Sequence, residues 1–328
     1  MKTILVTGAA GYVGSVLVGK LLSKNYQVKG LDMFLYDPNS LDNYSRMKNL
    51  EIIRGDIRNE SIIKDVMRGT DVVVHLASIS NDPTAELDES ITKSVNYDAY
   101  DILLGMAKHL GVKRFINASS SSVFGIKNEE NITEELTPEP ITIYSKYKAM
   151  SEKLVNAASS RAFTTVNIRP ATICGYSPRQ RFDLTVNILT KDAITKGKMV
   201  VHGGEQMRPN VTMSDITDLY IKMIEIESEY INGDTFNYGF ENLKVIEIAR
   251  LIQSALSIPS EIEIQPIIDQ RNYHISSRKI EEKLGITPLY SIVDMVRKLE
   301  EAFHNGLFPN PNDDKYYNLK KMRLEDFN

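Results

Sequence analysis

The chain has almost no cysteine, and that scarcity is the first constraint. Cys174 stands alone among 328 residues, so no disulfide can form within the chain, which fits a reducing compartment. Long apolar runs are missing too, and no window is suited to span a bilayer. The amino terminus does not read as a leader: Met1-Lys2 passes at once into Thr3-Ile4-Leu5-Val6, and the apolar run stops at Gly8. A cytoplasmic protein without a membrane partner is the expectation. Excess charge of one sign is also absent. A net charge of -4 argues against a generic nucleic-acid surface, so no nucleic-acid partner is expected. His75 has no second His or Cys at metal-ligand spacing, and no metal site is expected. Neither an internal repeat nor a low-complexity tract interrupts the chain.

What is present is a regular alternation of strands and helices. Lys2–Val6 is a β-branched run that ends in Thr7-Gly8-Ala9-Ala10-Gly11-Tyr12-Val13-Gly14, after which Val16, Leu17, Leu21 and Leu22 recur at helical spacing. Strand, glycine turn and helix in that order bind anions. Glycine allows close backbone approach, and the helix amino terminus offers free N–H groups to a pyrophosphate. Gln27–Leu31 reads as the second strand, with Asp32 at its end, 18 residues past Gly14. A carboxylate there accepts from an adenosine ribose diol and repels a 2'-phosphate, and Met33, Phe34 and Leu35 supply no cation to hold one. NAD is therefore favoured over NADP, although an aspartate here can also be a plain turn residue.

Further strands are expected at Leu50–Ile53, Asp71–Leu76, Lys113–Ala118 and Phe163–Ile168. Asp56, after Gly55, either faces the adenine or starts the next helix. His75 reads as a core histidine. Asp88–Leu110 reads as one long helix carrying Asn96. The pattern predicts an α/β fold of the Rossmann type, a doubly wound parallel sheet with ligands at the strand carboxyl ends. Residues 1–170 are expected to form the dinucleotide domain, with Asn210–Met213 and Thr235–Tyr238 returning to the sheet. The expectation for 171–328 is mainly a smaller C-terminal α/β substrate-binding lobe. Its helices would include Leu184–Lys191, Leu243–Leu256, Ser277–Leu284 and Ser291–Phe303, while the tail from Leu307 carries no clear signal.

The chemistry is expected between Ser119 and Lys148. A serine cluster, Ser119-Ser120-Ser121-Ser122, precedes Val123-Phe124-Gly125, and Tyr144-Ser145-Lys146-Tyr147-Lys148 follows. A phenol acting as base near neutral pH starts from a pKa of about 10 and needs roughly 4 kcal/mol of differential stabilisation of its anion. A lysine four residues on lies on the same helical face and can supply part of that field. The same spacing also suits an ordinary solvated pair.

Taken together, these residues resemble the extended short-chain dehydrogenase/reductases, in the nucleotide-sugar epimerase and dehydratase group. The marks are Thr7-Gly8-x-x-Gly11-x-x-Gly14, Asp32, Gly55-Asp56, His75-Leu76-Ala77, Asn96, Ser119-Ser120-x-x-Val123-Phe124-Gly125, Tyr144-x-x-x-Lys148 and Arg169-Pro170. The resemblance implies a catalytic set of Ser120, Tyr144 and Lys148. It implies NAD contacts from Gly8, Gly11, Tyr12, Val13, Gly14, Asp32, Asp56, Ile57, Leu76, Ala77, Ser78, Asn96, Tyr144, Lys148 and Pro170. Contacts to a nucleotide-diphosphate sugar would come from Ser80, Ser120, Ser121, Thr172, Asn187, Arg208 and Arg271. A planar guanidinium fork suits a diphosphate.

Departures from the group narrow the activity. Its 4,6-dehydratases carry an acidic pair directly after the catalytic Ser or Thr, where this chain has Ser121 and Ser122. Asp32 counts against an NADPH-dependent 4-ketoreductase. A nucleotide-sugar 4-epimerase is the leading expectation, a 4-dehydrogenase forming a keto sugar the alternative. Phe124 stands where the group usually has Tyr. The resemblance also implies a homodimer, in which Ala99, Ile102, Leu103 and Met106 with Met150, Leu154 and Ala157 form a helical seam or belong to the intrachain core.

Overall fold

The computed structural model describes residues 1–127, 129, 131–266 and 274–323. Six strands in the first half are β1 (Thr3–Thr7), β2 (Gln27–Asp32), β3 (Leu50–Arg54), β4 (Val72–His75), β5 (Arg114–Ala118) and β6 (Thr164–Pro170). The second half adds β7 (Thr172–Cys174), β8 (Lys198–His202), β9 (Met207–Thr212), β10 (Asp234–Tyr238), β11 (Glu241–Lys244) and β12 (Glu261–Gln265). Seven of them form one parallel sheet in the order β10-β6-β5-β4-β1-β2-β3. The order reverses between β1 and β4, and the crevice at such a switch point, beyond the strand carboxyl ends, is where these sheets bind ligands.

Strands buried on both faces need apolar side chains at odd and even positions alike. Ile4, Val6, Val72, Val74 and Ile116 pack into one layer, while Leu5, Val73 and Phe115 pack into the other. The helices of the first half are α1 (Gly14–Ser23), α2 (Glu60–Met67), α3 (Asp82–Ala85), α4 (Glu89–Lys93), α5 (Ala99–His109) and α6 (Ile143–Ala158). Those of the second are α7 (Thr185–Lys196), α8 (Met213–Glu225), α9 (Val245–Ala255), α10 (Arg278–Leu284), α11 (Ile292–His304) and α12 (Asn318–Met322). Leu17 and Leu21 of α1 join Ile216 and Tyr220 of α8 on one side of the sheet; Ile63, Leu103 and Val155 of α2, α5 and α6 cover the other. A separate core of Val186, Leu189, Ile248, Ile252, Met295 and Val296 holds α7, α9 and α11 together.

Three expectations change. Thr235–Tyr238 does return to the large sheet, but Asn210–Met213 does not: it lies at the end of β9 and the start of α8, and β9 sits between β7 and β11 in a small sheet of its own. The long helix from Asp88 is interrupted by a π-helical turn, Ser94–Asp98, between α4 and α5. The tail as far as Arg323 is held by packing: Phe308 and Tyr316 cluster around Phe182, and Met322 packs with Ile79 and Ala85. Within the supposed seam, Ala99 and Leu103 are intrachain core, whereas Ile102, Met106, Met150 and Leu154 are half-buried and Ala157 is exposed.

Candidate active site

The turn after β1 and the loop after β4 face each other across the switch point. Gly8 holds φ +74°, and a Cβ there would sit 2.7 Å from the Ala77 nitrogen. A Cβ on Gly14 would collide with the Gly8 carbonyl oxygen, so only glycine lets α1 begin against the turn. The result is a bare backbone floor at a helix amino terminus, which fits a dinucleotide diphosphate. Asp32 closes β2 beside it. Its carboxylate accepts from Ala10 N at 3.0 Å and Phe34 N at 2.7 Å, while burial pushes its pKa up. Asp56 is also desolvated, but the Arg58 fork, with Nε at 2.9 Å, brings it below the usual carboxylate range.

The segment expected to carry the chemistry is built from three strand and helix ends. Thr142 caps α6 reciprocally with Ser145, at 3.2 Å to the Ser145 nitrogen and 3.1 Å from the Thr142 nitrogen to the Ser145 hydroxyl. That cap puts Tyr144 in the first helical turn, where the helix dipole favours negative charge. Lys148 follows one turn later, with Nζ 5.9 Å from the Tyr144 ring centroid and donating to the Ala118 carbonyl at 2.7 Å. Burial pushes the Lys148 amine down to about 8, opposed in part by the Glu152 charge.

Glu152 continues the same face of α6. It is buried, takes both ends of the Arg169 fork at 2.8 and 2.7 Å, and accepts from the Ser119 hydroxyl at 2.5 Å. Ser120 stands next in line, its hydroxyl accepting from Ser122 N at 3.2 Å and from the Ser122 hydroxyl at 2.9 Å. Tyr144, Lys148 and Glu152 share one helical face at a spacing of four, so the sequence itself carries the pattern one turn beyond the Tyr144–Lys148 pair. Phe124 is fully buried with the Arg169 guanidinium 4.8 Å from its ring centroid, so the ring supports that ion pair from below.

One cavity of about 540 Å³ joins these parts. Its walls include Gly8, Gly11, Tyr12, Val13, Gly14, Asp32, Asp56, Ile57, Leu76, Ala77, Ser78, Tyr144, Lys148 and Pro170, together with Ser80, Ser120, Ser121, Thr172 and Arg208. Two expected contact residues lie off it. Asn96, in the π turn, spends its amide on the Ile79 backbone, accepting from Ile79 N and donating to Ile79 O at 2.9 Å each, and so positions the loop after β4. Asn187 is buried and bonds Gly175 N at 3.0 Å, the Tyr12 hydroxyl at 2.9 Å and the Arg181 carbonyl at 2.9 Å. Both amides make their hydrogen bonds within the protein. Arg271 falls outside the described residues. His75 is a core residue, its Nδ1 2.7 Å from the Thr7 hydroxyl and its pKa lowered by burial to about 3.

The cavity also has walls that the sequence did not announce: Tyr36, Asn81, Asp82, Arg179, Arg181, Asp183 and Asn318. In sequence Arg179-Gln180-Arg181 is only a charged triplet after Pro178. Nothing local in the tail marks Asn318. Among the described residues no group of three or more His, Cys, Asp or Glu could hold a metal ion, and no helix is long and apolar enough to cross a membrane.

Comparisons with known proteins agree on kinship. A model of the NAD dependent epimerase/dehydratase family matches residues 4–239. The protein y4nG of Sinorhizobium fredii is 31% identical over 320 residues, covering 90% of this chain and 77% of that one. A UDP-glucose 4-epimerase of Lactobacillus helveticus is 25% identical over 331 residues, covering 92% and 97% respectively. Among solved structures, UDP-glucuronic acid 4-epimerase from Bacillus cereus, in complex with UDP-glucuronic acid and NAD, superposes with a TM-score of 0.83 at 25% identity. That alignment covers 92% of this chain and 99% of the other.

Proposed function

Since the chain belongs to the NAD dependent epimerase/dehydratase family, we propose that it is an NAD-dependent nucleotide-sugar 4-epimerase. One observation carries this reading. Ser120, Tyr144 and Lys148 line the same cavity as the glycine turn, while the two positions after Ser120 hold serines and no carboxylate. NAD fits the bare floor made by Gly8, Gly11 and Gly14, with Asp32 for the adenosine ribose and Lys148 for the nicotinamide ribose. Bound there, it supplies a two-electron acceptor that takes a hydride from the sugar carbon and can give it back.

The protein's own groups handle the proton. The Lys148 ammonium and the α6 amino terminus set a positive field around the Tyr144 oxygen. Under that field Tyr144 Oη takes the proton of the sugar C4 hydroxyl and later returns it. Ser120 donates to the same sugar oxygen and holds it in line. Arg208, with Nη1 anchored to the Met207 carbonyl at 2.9 Å, faces the substrate diphosphate, and Ser80, Ser121 and Thr172 line the sugar. Asn96 and Asn187 act by fixing backbone. We also infer a homodimer through the outer faces of α5 and α6, where Ile102, Met106, Met150 and Leu154 remain half-buried; sedimentation at micromolar concentration tests it.

UDP-glucose and UDP-glucuronic acid are the first substrates to try, because the Lactobacillus helveticus enzyme is named for the former and the Bacillus cereus one for the latter. The purified protein should interconvert C4 epimers of a nucleotide sugar with no added reductant. Stoichiometric NADH and a keto sugar without epimer would instead show a 4-dehydrogenase.

A further inference from the structure

The loop between Gly175 and Asp183 is bolted to the glycine turn. The Ser177 hydroxyl donates to the Tyr12 carbonyl at 2.6 Å and lies 3.0 Å from the Ser15 hydroxyl, and the Tyr12 hydroxyl donates to the Gly175 carbonyl at 2.7 Å. Two arginines project from this loop into the cavity wall. Arg181 is neutralised there: its Nε and Nη2 donate to Asp183 at 2.8 and 3.1 Å. Arg179 has no such partner. It is 2% exposed, and among the described residues it forms no ion pair.

Arg179 stacks on Tyr36 at 4.1 Å, donates from Nη2 to the Asn318 side-chain oxygen, and leaves its Nε buried without a hydrogen bond. The Asp183 and Asp32 charges act on it only from a distance, and a buried guanidinium N–H left without an acceptor is costly unless something completes it. The cavity also contains Asp32, Asp56 and Asp183, so a phosphate-bearing ligand entering it would meet repulsion, and of the cations on its wall Arg179 lies on the loop tied to the glycine turn. The guanidinium faces the pocket beside Tyr36, which follows β2, and its loop is tied to the turn that begins α1. Both constraints put it on the dinucleotide side of the cavity.

We propose that Arg179 is a ligand of the cofactor diphosphate, reaching it from the side opposite the glycine floor, and that Asn318 latches it in that position. This rests on the reading of the glycine turn as the NAD site. The latch belongs to a strap formed by the segment around α12. Asn318 N donates to Asp183 at 3.0 Å, its side-chain nitrogen donates to Ser80 at 2.9 Å, and Phe182 N donates to the Tyr316 carbonyl at 2.9 Å. The strap therefore ties the loop after β4 to the loop of the two arginines. Release of the dinucleotide requires this strap to yield.

The test compares wild type with Arg179→Met, Arg179→Lys and Asn318→Ala. Folding is checked by circular dichroism and thermal melting. Calorimetry then gives affinities for ADP-ribose, adenosine, NADP and UDP, and chromatography of extracts gives the NAD retained through purification. Arg179→Met should weaken ADP-ribose by roughly 10- to 100-fold and leave adenosine and UDP within about twofold. Arg179→Lys should lie between, and Asn318→Ala should speed NAD loss by several-fold, about what one latch hydrogen bond contributes. If Arg179→Met does not fold, the other two variants carry the same comparison. Equal loss for adenosine would make Arg179 merely structural. Loss confined to UDP, or tight wild-type NADP binding that vanishes in Arg179→Met, would assign it to another phosphate. Unchanged ADP-ribose affinity overturns the inference alone, whereas a wild type that binds neither NAD nor ADP-ribose overturns the NAD reading with it.

Discussion

The floor of the cavity and its roof are made in different ways. The floor comes from adjacent strand ends: the glycine turn, Asp32 and the Leu76–Ser78 loop each follow directly from the strand that places them. The roof comes from the loop of Arg179 and Arg181 and from the segment around Asn318, which meet only after residues more than a hundred positions apart have packed. Local patterns can specify the first kind of wall; the second exists only in the folded molecule. On the reading proposed above, the floor and the α6 face beside it carry the chemistry, and the roof sets how long the dinucleotide stays.

The comparison breaks most sharply at Tyr144. Tyr144→Phe removes the hydroxyl proposed to transfer the proton, and epimerisation should fall by about 10²- to 10⁴-fold with NAD content unchanged. A kinetic and extraction assay on one preparation checks both halves of that statement, and equal activity would refute the role proposed for Tyr144. Next in size is Glu152→Ala, which strands Arg169 as a buried cation and should destabilise the fold by about 3–5 kcal/mol in urea unfolding. On the roof side, Phe182→Ala empties an aromatic cluster with Phe303, Phe308 and Tyr316 and should cost about 3 kcal/mol. It should also shorten NAD retention, which Glu152→Ala is not expected to share once corrected for stability.

A pH titration sharpens the same contrast. Lys148 titrates near 8 in the folded protein against 10.5 ordinarily, because burial favours its neutral form. Between those values the unfolded chain holds a proton that the native chain has released, so this group adds stability as pH rises through the window. Turnover, which uses the ammonium, should decline over the same range. A rate that drops above pH 8 while thermal stability holds or grows distinguishes Lys148 from general alkaline denaturation. The smallest effect belongs to the exposed pair Arg68–Asp65, whose removal should leave melting and turnover unaltered.

The contrast also explains what the sequence could disclose. Thr7 to Gly14, Asp32 and the Tyr144–Lys148 pair were legible because each depends on spacing within one strand, turn or helix. Of the residues singled out through resemblance, Arg208 lines the cavity and Asn187 lies off it, since a buried amide bonded to Tyr12 and Arg181 looks the same in sequence as one on the cavity wall. The fate of Asn210–Met213 turned on which sheet accepts a short strand, a tertiary choice no period records. Arg179 and Asn318 had no mutual signal at all, because neither shares an element with the other.

The π turn at Ser94–Asp98 carries one residue more than an α-helical turn would need, and it is that surplus which lets Asn96 reach the Ile79 backbone while α5 stays packed. Deleting a single residue there would regularise the helix and rotate everything upstream by about 100° around the axis. Insertions and deletions within this helix should therefore be selected against far more strongly than substitutions, a bias that counting changes by type in a random library would expose.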